Sequence, residues 1–328
     1  MQNVELNNCP STLAVGYNTY SDTALRRVFK GKKVSPILPY DSPATNEITD
    51  ALYTENRKRM SISGVQEKFS VLLEKNKLRL IYEGEQGQYI LKPIPNVGKN
   101  ADQMPANEHV TMQIARQIFN IETAENALIF FKNGALAYIT KRFDVKEDGS
   151  KWAQEDFASL GGRTPQTHGE DFKYSGNYLE LFKLLEKYTP AYTVESVKLF
   201  KLILFNYLFS NGDAHYKNFS LLETPLGDYR LSPAYDLLNS RLHIYDNDFA
   251  LEDGLLPKQL GQGKISKQFN VLGEQANISK KQIEKVYSDF ISYQDKVLAL
   301  VEASLLNEKS KRNYTQAYQT RLKKLLSK

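Results

Sequence analysis

Three side chains pose the chemical question. Asp213 and Asn218 stand five residues apart in Ser210-Asn211-Gly212-Asp213-Ala214-His215-Tyr216-Lys217-Asn218, and Asp236 closes Leu231-Ser232-Pro233-Ala234-Tyr235-Asp236. A carboxylate can take the proton of an attacking hydroxyl. An amide oxygen and a second carboxylate are hard ligands of the kind that hold magnesium on nucleotide phosphates. Asn-Gly-Asp is also an ordinary turn signal, so the chemistry depends on whether the other parts of a phosphoryl-transfer site occur in order.

Such a site works by positioning and charge stabilisation. A phosphate cradle needs small residues whose backbone N–H groups can reach oxygens. Met60-Ser61-Ile62-Ser63-Gly64-Val65-Gln66-Glu67-Lys68 is the candidate, although its one glycine also suits a plain β-turn. Lys92, on the third predicted strand, would place a cation on the phosphates; as an edge-strand lysine it would instead snorkel to water. Glu108, in the first turn of the next predicted helix, would hold that lysine, and acids favour first turns in any case. Thr140-Lys141-Arg142-Phe143-Asp144 offers backbone groups to an adenine edge and Phe143 to pack on it. His215 reads as a brace of its loop, and His109, His168 and His243 lack metal-ligand spacing. Gln154-Glu155-Asp156 suits a substrate-site wall or a helix N-terminus equally.

The elements that must position these groups follow from periodicity. Strands are predicted at Phe69–Leu73 and Leu78–Tyr82 around a turn, then at Gln88–Lys92, stopped by Pro93. A helix over Ala106–Phe119 precedes strands Ala127–Phe131 and Ala135–Lys141. Beyond the linker Lys146–Gly149 helices dominate: Tyr178–Tyr188, the apolar Val194–Phe209, a long stretch Ser279–Leu306, and a basic amphipathic segment Asn313–Leu326. Short strands are expected at Phe219–Leu222 and just before Asp236. Residues 1–60 read as irregular. Their basic run Arg26–Lys33 is a solvated face or a docking surface for an acidic partner or DNA. A β-rich front and an α-rich back predict an α+β, two-lobed chain. Residues 1–60 are expected to form an extension packing on the N-terminal lobe, 61–144 that lobe and 145–328 a helical C-terminal lobe.

Composition sets outer bounds. The 328 residues carry 41% hydrophobic and 25% charged side chains and a net charge of +5, typical of a globular protein that suits anionic partners. Cys9 is the single cysteine, which fits a reducing compartment and a cytoplasmic location. Met1–Glu5 lacks the features of a secretory signal. Leu199–Phe209 is too short for a bilayer, which takes about 20 apolar residues, so no membrane role is expected. The basic tail Lys309–Lys328 reads as a solvated helix face rather than a DNA contact.

Together these motifs resemble the HipA-like serine/threonine kinases, toxins of bacterial toxin–antitoxin systems. The resemblance rests on Ser61–Lys68, Tyr89-Ile90-Leu91-Lys92-Pro93, Asn107-Glu108-His109, Lys141-Arg142-Phe143-Asp144, Gln154-Glu155-Asp156, Gly212–Phe219 and Leu231–Asp236, and covers roughly residues 60 to 300. It implies a bilobal protein-kinase-like fold, ATP and Mg2+ as cofactors, and Asp213 as catalytic base supported by Lys92 and Glu108. Asn218 and Asp236 become the metal ligands. ATP contacts extend over Ser63, Gly64, Val65, Gln66, Glu67, Lys68, Lys92, Lys141, Arg142, Phe143, His215, Lys217, Asn218, Tyr235 and Asp236. Ser61 and Ser63 match autophosphorylated loop serines, where added charge would repel nucleotide phosphates. The short N-terminal region looks like the HipT branch, whose missing subdomain is a separate small HipS-type protein. The implied partners are that protein, a HipB-type antitoxin through which DNA is reached indirectly, and an aminoacyl-tRNA synthetase as substrate. An aminoglycoside-type small-molecule phosphotransferase and a non-catalytic partner-binding pseudokinase are the competing readings.

Overall fold

The structure, a computed structural model, describes residues 6–43, 67–96, 98–245 and 247–327. The chain forms two compact units, residues 1–113, 124–150 and 299–311 in the first and residues 114–123, 151–298 and 312–328 in the second.

In the first unit, five of the described strands form one antiparallel sheet: β1 (Phe69–Glu74), β2 (Lys77–Leu80), β3 (Tyr89–Pro93), β4 (Asn126–Phe130) and β5 (Leu136–Lys141). Their order is β2-β1-β3-β5-β4, so β3 is central. Side chains alternate across a strand. Phe69, Val71, Tyr89, Leu91, Ala127, Ile129, Ala137 and Ile139 therefore share one face, where they pack with Cys9, Tyr20, Ala24, Val28, Phe29 and Leu38. Lys92 falls to the opposite face. The segment before residue 60 is not irregular throughout. Helix α1 (Asp22–Phe29) is capped by the Ser21 side chain, which accepts from Ala24 N, and ended by Lys30 at φ 54°. Its basic residues hid an apolar stripe of Ala24, Val28 and Phe29, and Arg27 is paired with Glu125 at 3.0 Å. The same segment covers the open edge of β4: Leu128 N donates to Pro10 O (2.7 Å) and Phe130 N to Pro36 O (2.8 Å). An uncovered edge would be a template for unwanted pairing.

Pro93 does not stop β3 but ends it as a paired residue, opposite Ala137, at a point where β1 no longer pairs with it. Helix α2 (Met104–Gln117) starts earlier than its sequence pattern suggests, after a 3-10 turn at Ala101–Gln103. That start puts Glu108 in the second turn, with no acid in the first.

In the second unit α3 (Phe157–Leu160), α4 (Pro165–His168) and α5 (Leu179–Tyr188) precede α6 (Tyr192–Leu208). Helix α6 is buried nearly all round from Leu199 to Leu208, as its unbroken apolar run requires. Strands β6 (Gln154–Asp156), β7 (Ser220–Glu223) and β8 (Tyr229–Leu231) form a second antiparallel sheet in that order. Asp156 thus serves two ends: it closes β6 and caps α3, accepting from Ser159 N at 3.0 Å. Helices α7 (Ile265–Gln275), α8 (Lys280–Ser292) and α9 (Gln294–Glu302) follow. The expected single helix over Ser279–Leu306 is therefore divided, because Tyr293 leaves helical geometry at φ −109° and ψ 21°. Helix α10 (Glu308–Leu326) is more than a solvated basic face. Arg321 is fully buried, ion-paired with Asp248 and 4.9 Å over the Tyr207 ring, and Tyr318 stacks on Phe209 at 4.8 Å. Among the described residues no helix is long and apolar enough to cross a membrane.

Candidate active site

Helix α6 delivers the Asp213 loop. Ser210 takes φ 55°, turning the chain out of the helix. The loop is then held from several sides within the second unit. Gly212 N donates to Ser240 Oγ (2.9 Å), which donates to Ser210 O (2.8 Å). Tyr178 OH donates to Ala214 O at 2.7 Å. Tyr216 is buried, donates to Glu180 Oε2 at 2.9 Å and carries the Arg163 guanidinium 4.0 Å over its ring. With its backbone so fixed, the loop can present Asp213 while that side chain stays half exposed.

One Asp213 oxygen, Oδ1, accepts from Tyr174 OH at 2.8 Å. Three residues after His215, Asn218 turns back so that its Oδ1 accepts from His215 N at 3.1 Å, which fixes the amide oxygen in place. The His215 ring is buried edge-on to Tyr174 (5.0 Å), with Nε2 3.9 Å from Asp213 Oδ1. Burial pulls its pKa down to about 4, against the Asp213 and Asp236 carboxylates that would raise it. Packed edge-on to Tyr174 beside Asp213, the imidazole is therefore neutral near pH 7.

The Asp236 segment is anchored separately. Ala234 N donates to Glu122 O (2.8 Å), Leu231 N to the buried Glu195 carboxylate (3.1 Å), and Tyr235 OH to Lys217 O (2.9 Å). Asp236 takes φ 55°, and its carbonyl accepts from Asn211 Nδ2 at 3.4 Å. Lys217 faces Asp156 at 3.8 Å, which joins the Gln154-Glu155-Asp156 strand to the loop. The structure thus brings Asp213, His215, Lys217, Asn218, Tyr235 and Asp236 together.

In the first unit Lys92 Nζ lies 2.6 Å from Glu108 Oε1, both side chains 4% exposed, and 5.4 Å from the Tyr138 ring centroid. The edge-strand reading of Lys92 fails because β3 is flanked on both sides. The helix-dipole reading of Glu108 fails because the acid is past the first turn. Lys141 is half buried, and burial together with Lys30 lowers its pKa. Lys141 N and Arg142 N already donate to Glu125 O (2.7 Å) and Gln88 O (2.9 Å), and the Arg142 guanidinium is committed to Asp144 at 2.5 Å. An adenine there would have to use other groups of the segment. Glu67 and Lys68 are half buried just before β1. Ser61, Ser63, Gly64, Val65 and Gln66 lie outside the described residues.

The donor set fits magnesium carried by a nucleotide. Among the described residues no group of three or more His, Cys, Asp or Glu side chains could hold a metal. The Asp213 loop offers one oriented amide oxygen, that of Asn218, and the Asp236 segment one carboxylate, both hard ligands. Magnesium keeps waters and takes phosphate oxygens, so two protein ligands are enough. Asn218 and Asp236 would hold it, and it would neutralise charge on the phosphates.

Residues 60–297 match the HipA-like C-terminal domain family. The chain belongs to that family. A Haemophilus influenzae relative named "Putative kinase" is 25% identical over 88% of this chain and 87% of its own length. The Sinorhizobium fredii "Putative kinase Y4dM" is 32% identical over 64% of this chain, which spans only 52% of that protein. Among solved structures, HipA of the Shewanella oneidensis toxin–antitoxin complex with HipB and operator DNA aligns with a TM-score of 0.61 at 19% identity, over 81% of this chain and 64% of that one. The Helicobacter pylori proinflammatory kinase CtkA aligns with a TM-score of 0.51 at 15% identity, over 77% of this chain and 92% of that one. The α+β, HipA-like kinase fold is therefore shared.

Sequence reasoning missed the supports of the HipA-like site. Tyr174 is 39 residues from the carboxylate it touches, and no local pattern joins them. Asn206, Asn211 and Ser240 carried a usable signal only in Asn211, which stands two residues before Asp213 and was absorbed into a turn motif.

Proposed function

We propose that the chain is an ATP- and Mg2+-dependent kinase that phosphorylates protein Ser or Thr hydroxyls as the toxin of a bacterial toxin–antitoxin pair. The observation that carries this reading is the loop itself: Asp213 half exposed beside the buried His215, Asn218 oriented by a backbone N–H, and the Asp236 segment tied to the same loop through Asn211 and Tyr235. In this reading Asp213 accepts the hydroxyl proton through the oxygen that Tyr174 leaves free. Asn218 and Asp236 hold magnesium, and Lys92, aligned by Glu108, meets the phosphates. The kinase names of the relatives and the HipA fold support it. The HipB complex of the Shewanella protein supports a HipB-type antitoxin as partner. The HipT-type assignment, a HipS-type partner, an aminoacyl-tRNA synthetase substrate, autophosphorylation of Ser61 or Ser63 and a cytoplasmic location extend the same reading.

The test is intact-mass measurement after incubation with ATP and magnesium. The wild-type chain should gain phosphate that maps to Ser61 or Ser63, and Asp213→Asn should gain none. No gain and no nucleotide binding in the wild type would favour a partner-binding pseudokinase. Growth arrest on expression, lost in Asp236→Asn, separates a protein-directed toxin from a small-molecule phosphotransferase.

A further inference from the structure

The Asp213 loop and the Asp236 segment meet at a side chain outside the proposed catalytic and metal-binding set. Asn211 is buried, and its Nδ2 donates to Asn206 Oδ1 on α6 (3.0 Å) and to the main-chain carbonyl of Asp236 (3.4 Å). A carbonyl oxygen can only accept, so the atom of Asn211 that faces it must be the NH2, which fixes the amide's orientation. Asn211 N also donates to Asn206 O at 2.8 Å, so Asn206 holds this residue twice. The two groups that flank the contact are unusual. Ser210 and Asp236 both take φ 55° without being glycine. The side chain's Cβ disfavours that conformation, and it persists only where surrounding contacts over-determine it.

We infer that Asn211 is a positioning residue that aims the Asp236 carboxylate. Its amide holds the Asp236 carbonyl where the left-handed backbone points it, and so keeps φ positive. Without that donor the carbonyl loses this hydrogen bond, and φ can relax to negative values. Rotation about N–Cα then carries Cβ, and the carboxylate with it, away from its present direction. The same amide ties that direction to α6 through Asn206, so the base loop and the metal-binding carboxylate share one anchor. This inference rests on the reading of Asp236 as a magnesium ligand given above.

The test is calorimetric titration with the non-hydrolysable ATP analogue adenylyl imidodiphosphate, once with magnesium and once with EDTA. The wild type should bind more tightly with magnesium. In Asn211→Ala the magnesium-dependent gain should fall by about tenfold, as expected when a buried hydrogen bond that orients a ligand is lost. The EDTA affinity should stay within about twofold of wild type, since the nucleotide contacts themselves are untouched. The magnesium concentration for half-maximal phosphotransfer should rise in step while KM for the phosphoacceptor holds. A purely packing role would lower the unfolding midpoint and leave the magnesium-dependent gain alone. Should Asn211→Ala fail to fold by circular dichroism, Asn206→Ala takes its place, with a smaller loss of about threefold expected from the freed amide. An unchanged magnesium-dependent gain in a folded variant overturns the inference alone. A wild type that shows no such gain overturns the reading of the site and the inference with it.

Discussion

The two units of this chain hold their charged groups in opposite ways. In the first, Lys92 and Glu108 form an ion pair with almost no exposure, on the central strand of a sheet whose other face is covered by residues 9–38. In the second, Asp213 stays half exposed, and what is buried is its scaffolding: His215, Asn211, Ser240 and Tyr178. A buried pair is costly to break but contributes little over an apolar substitute. A braced loop with an open carboxylate costs little to alter at its tip and much to alter beneath it. A group that must hold a phosphate still is suited to the first arrangement. One that must meet a substrate hydroxyl and give up its proton again is suited to the second.

That contrast makes predictions that differ in kind. Asp213→Asn should lower phosphotransfer by about 10²–10⁴-fold, the usual contribution of a general base. Its stability should stay within about 0.5 kcal/mol of wild type, as for other exposed positions, when both are measured by rates and urea unfolding. Glu108→Ala should do the reverse to stability, costing about 3–5 kcal/mol because Lys92 is left charged and unpaired. The double change Lys92→Met with Glu108→Leu should recover that loss, or exceed wild type by about 1–4 kcal/mol, and still be inactive. If the double variant is as unstable as the single one, the buried pair is structural in a way the comparison does not allow. Tyr174→Phe removes one hydrogen bond to a half-exposed carboxylate, worth about 0.5–1.5 kcal/mol. It should therefore lower kcat about tenfold at most, with the KM for ATP unmoved.

The smallest effect is the first unit's share of a pH dependence to which the buried His215 of the second unit also contributes. His109 is buried, its Nε2 lies 2.9 Å from Ser11 O, its Nδ1 has no partner among the described residues, and burial lowers its pKa from 6.5 to about 4. A folded pKa below the unfolded one means that the unfolded chain binds the proton first. The contribution is then fully present above pH 6.5, declines as pH falls towards 4 and is flat below that. His109→Gln should flatten urea midpoints across that window relative to wild type.

Much of this was legible along the chain because the relevant spacing is local. Asp213 to Asn218 is one turn of loop, and Lys92 to Glu108 is one strand-to-helix step whose alternation and periodicity can be read directly. Helix α6 announced itself by its apolar run. What could not be read depended on contacts between distant segments or on the backbone. Tyr174 reaches Asp213 from another loop. Asp156 ends a strand that exists only because β7 pairs with it. Helix α1 was masked by its basic residues, whose solvated side hides the stripe packed on the sheet. Positive φ at Ser210 and Asp236 has no sequence signature when the residue is not glycine.

The most direct measurement is a crystal grown with Mn2+ and adenylyl imidodiphosphate, with the metal located by its anomalous scattering. The account predicts a peak within coordination reach of both the Asn218 amide oxygen and the Asp236 carboxylate, with the Asp213 carboxylate left open to solvent. A bound nucleotide whose metal touches neither Asn218 nor Asp236 would contradict it.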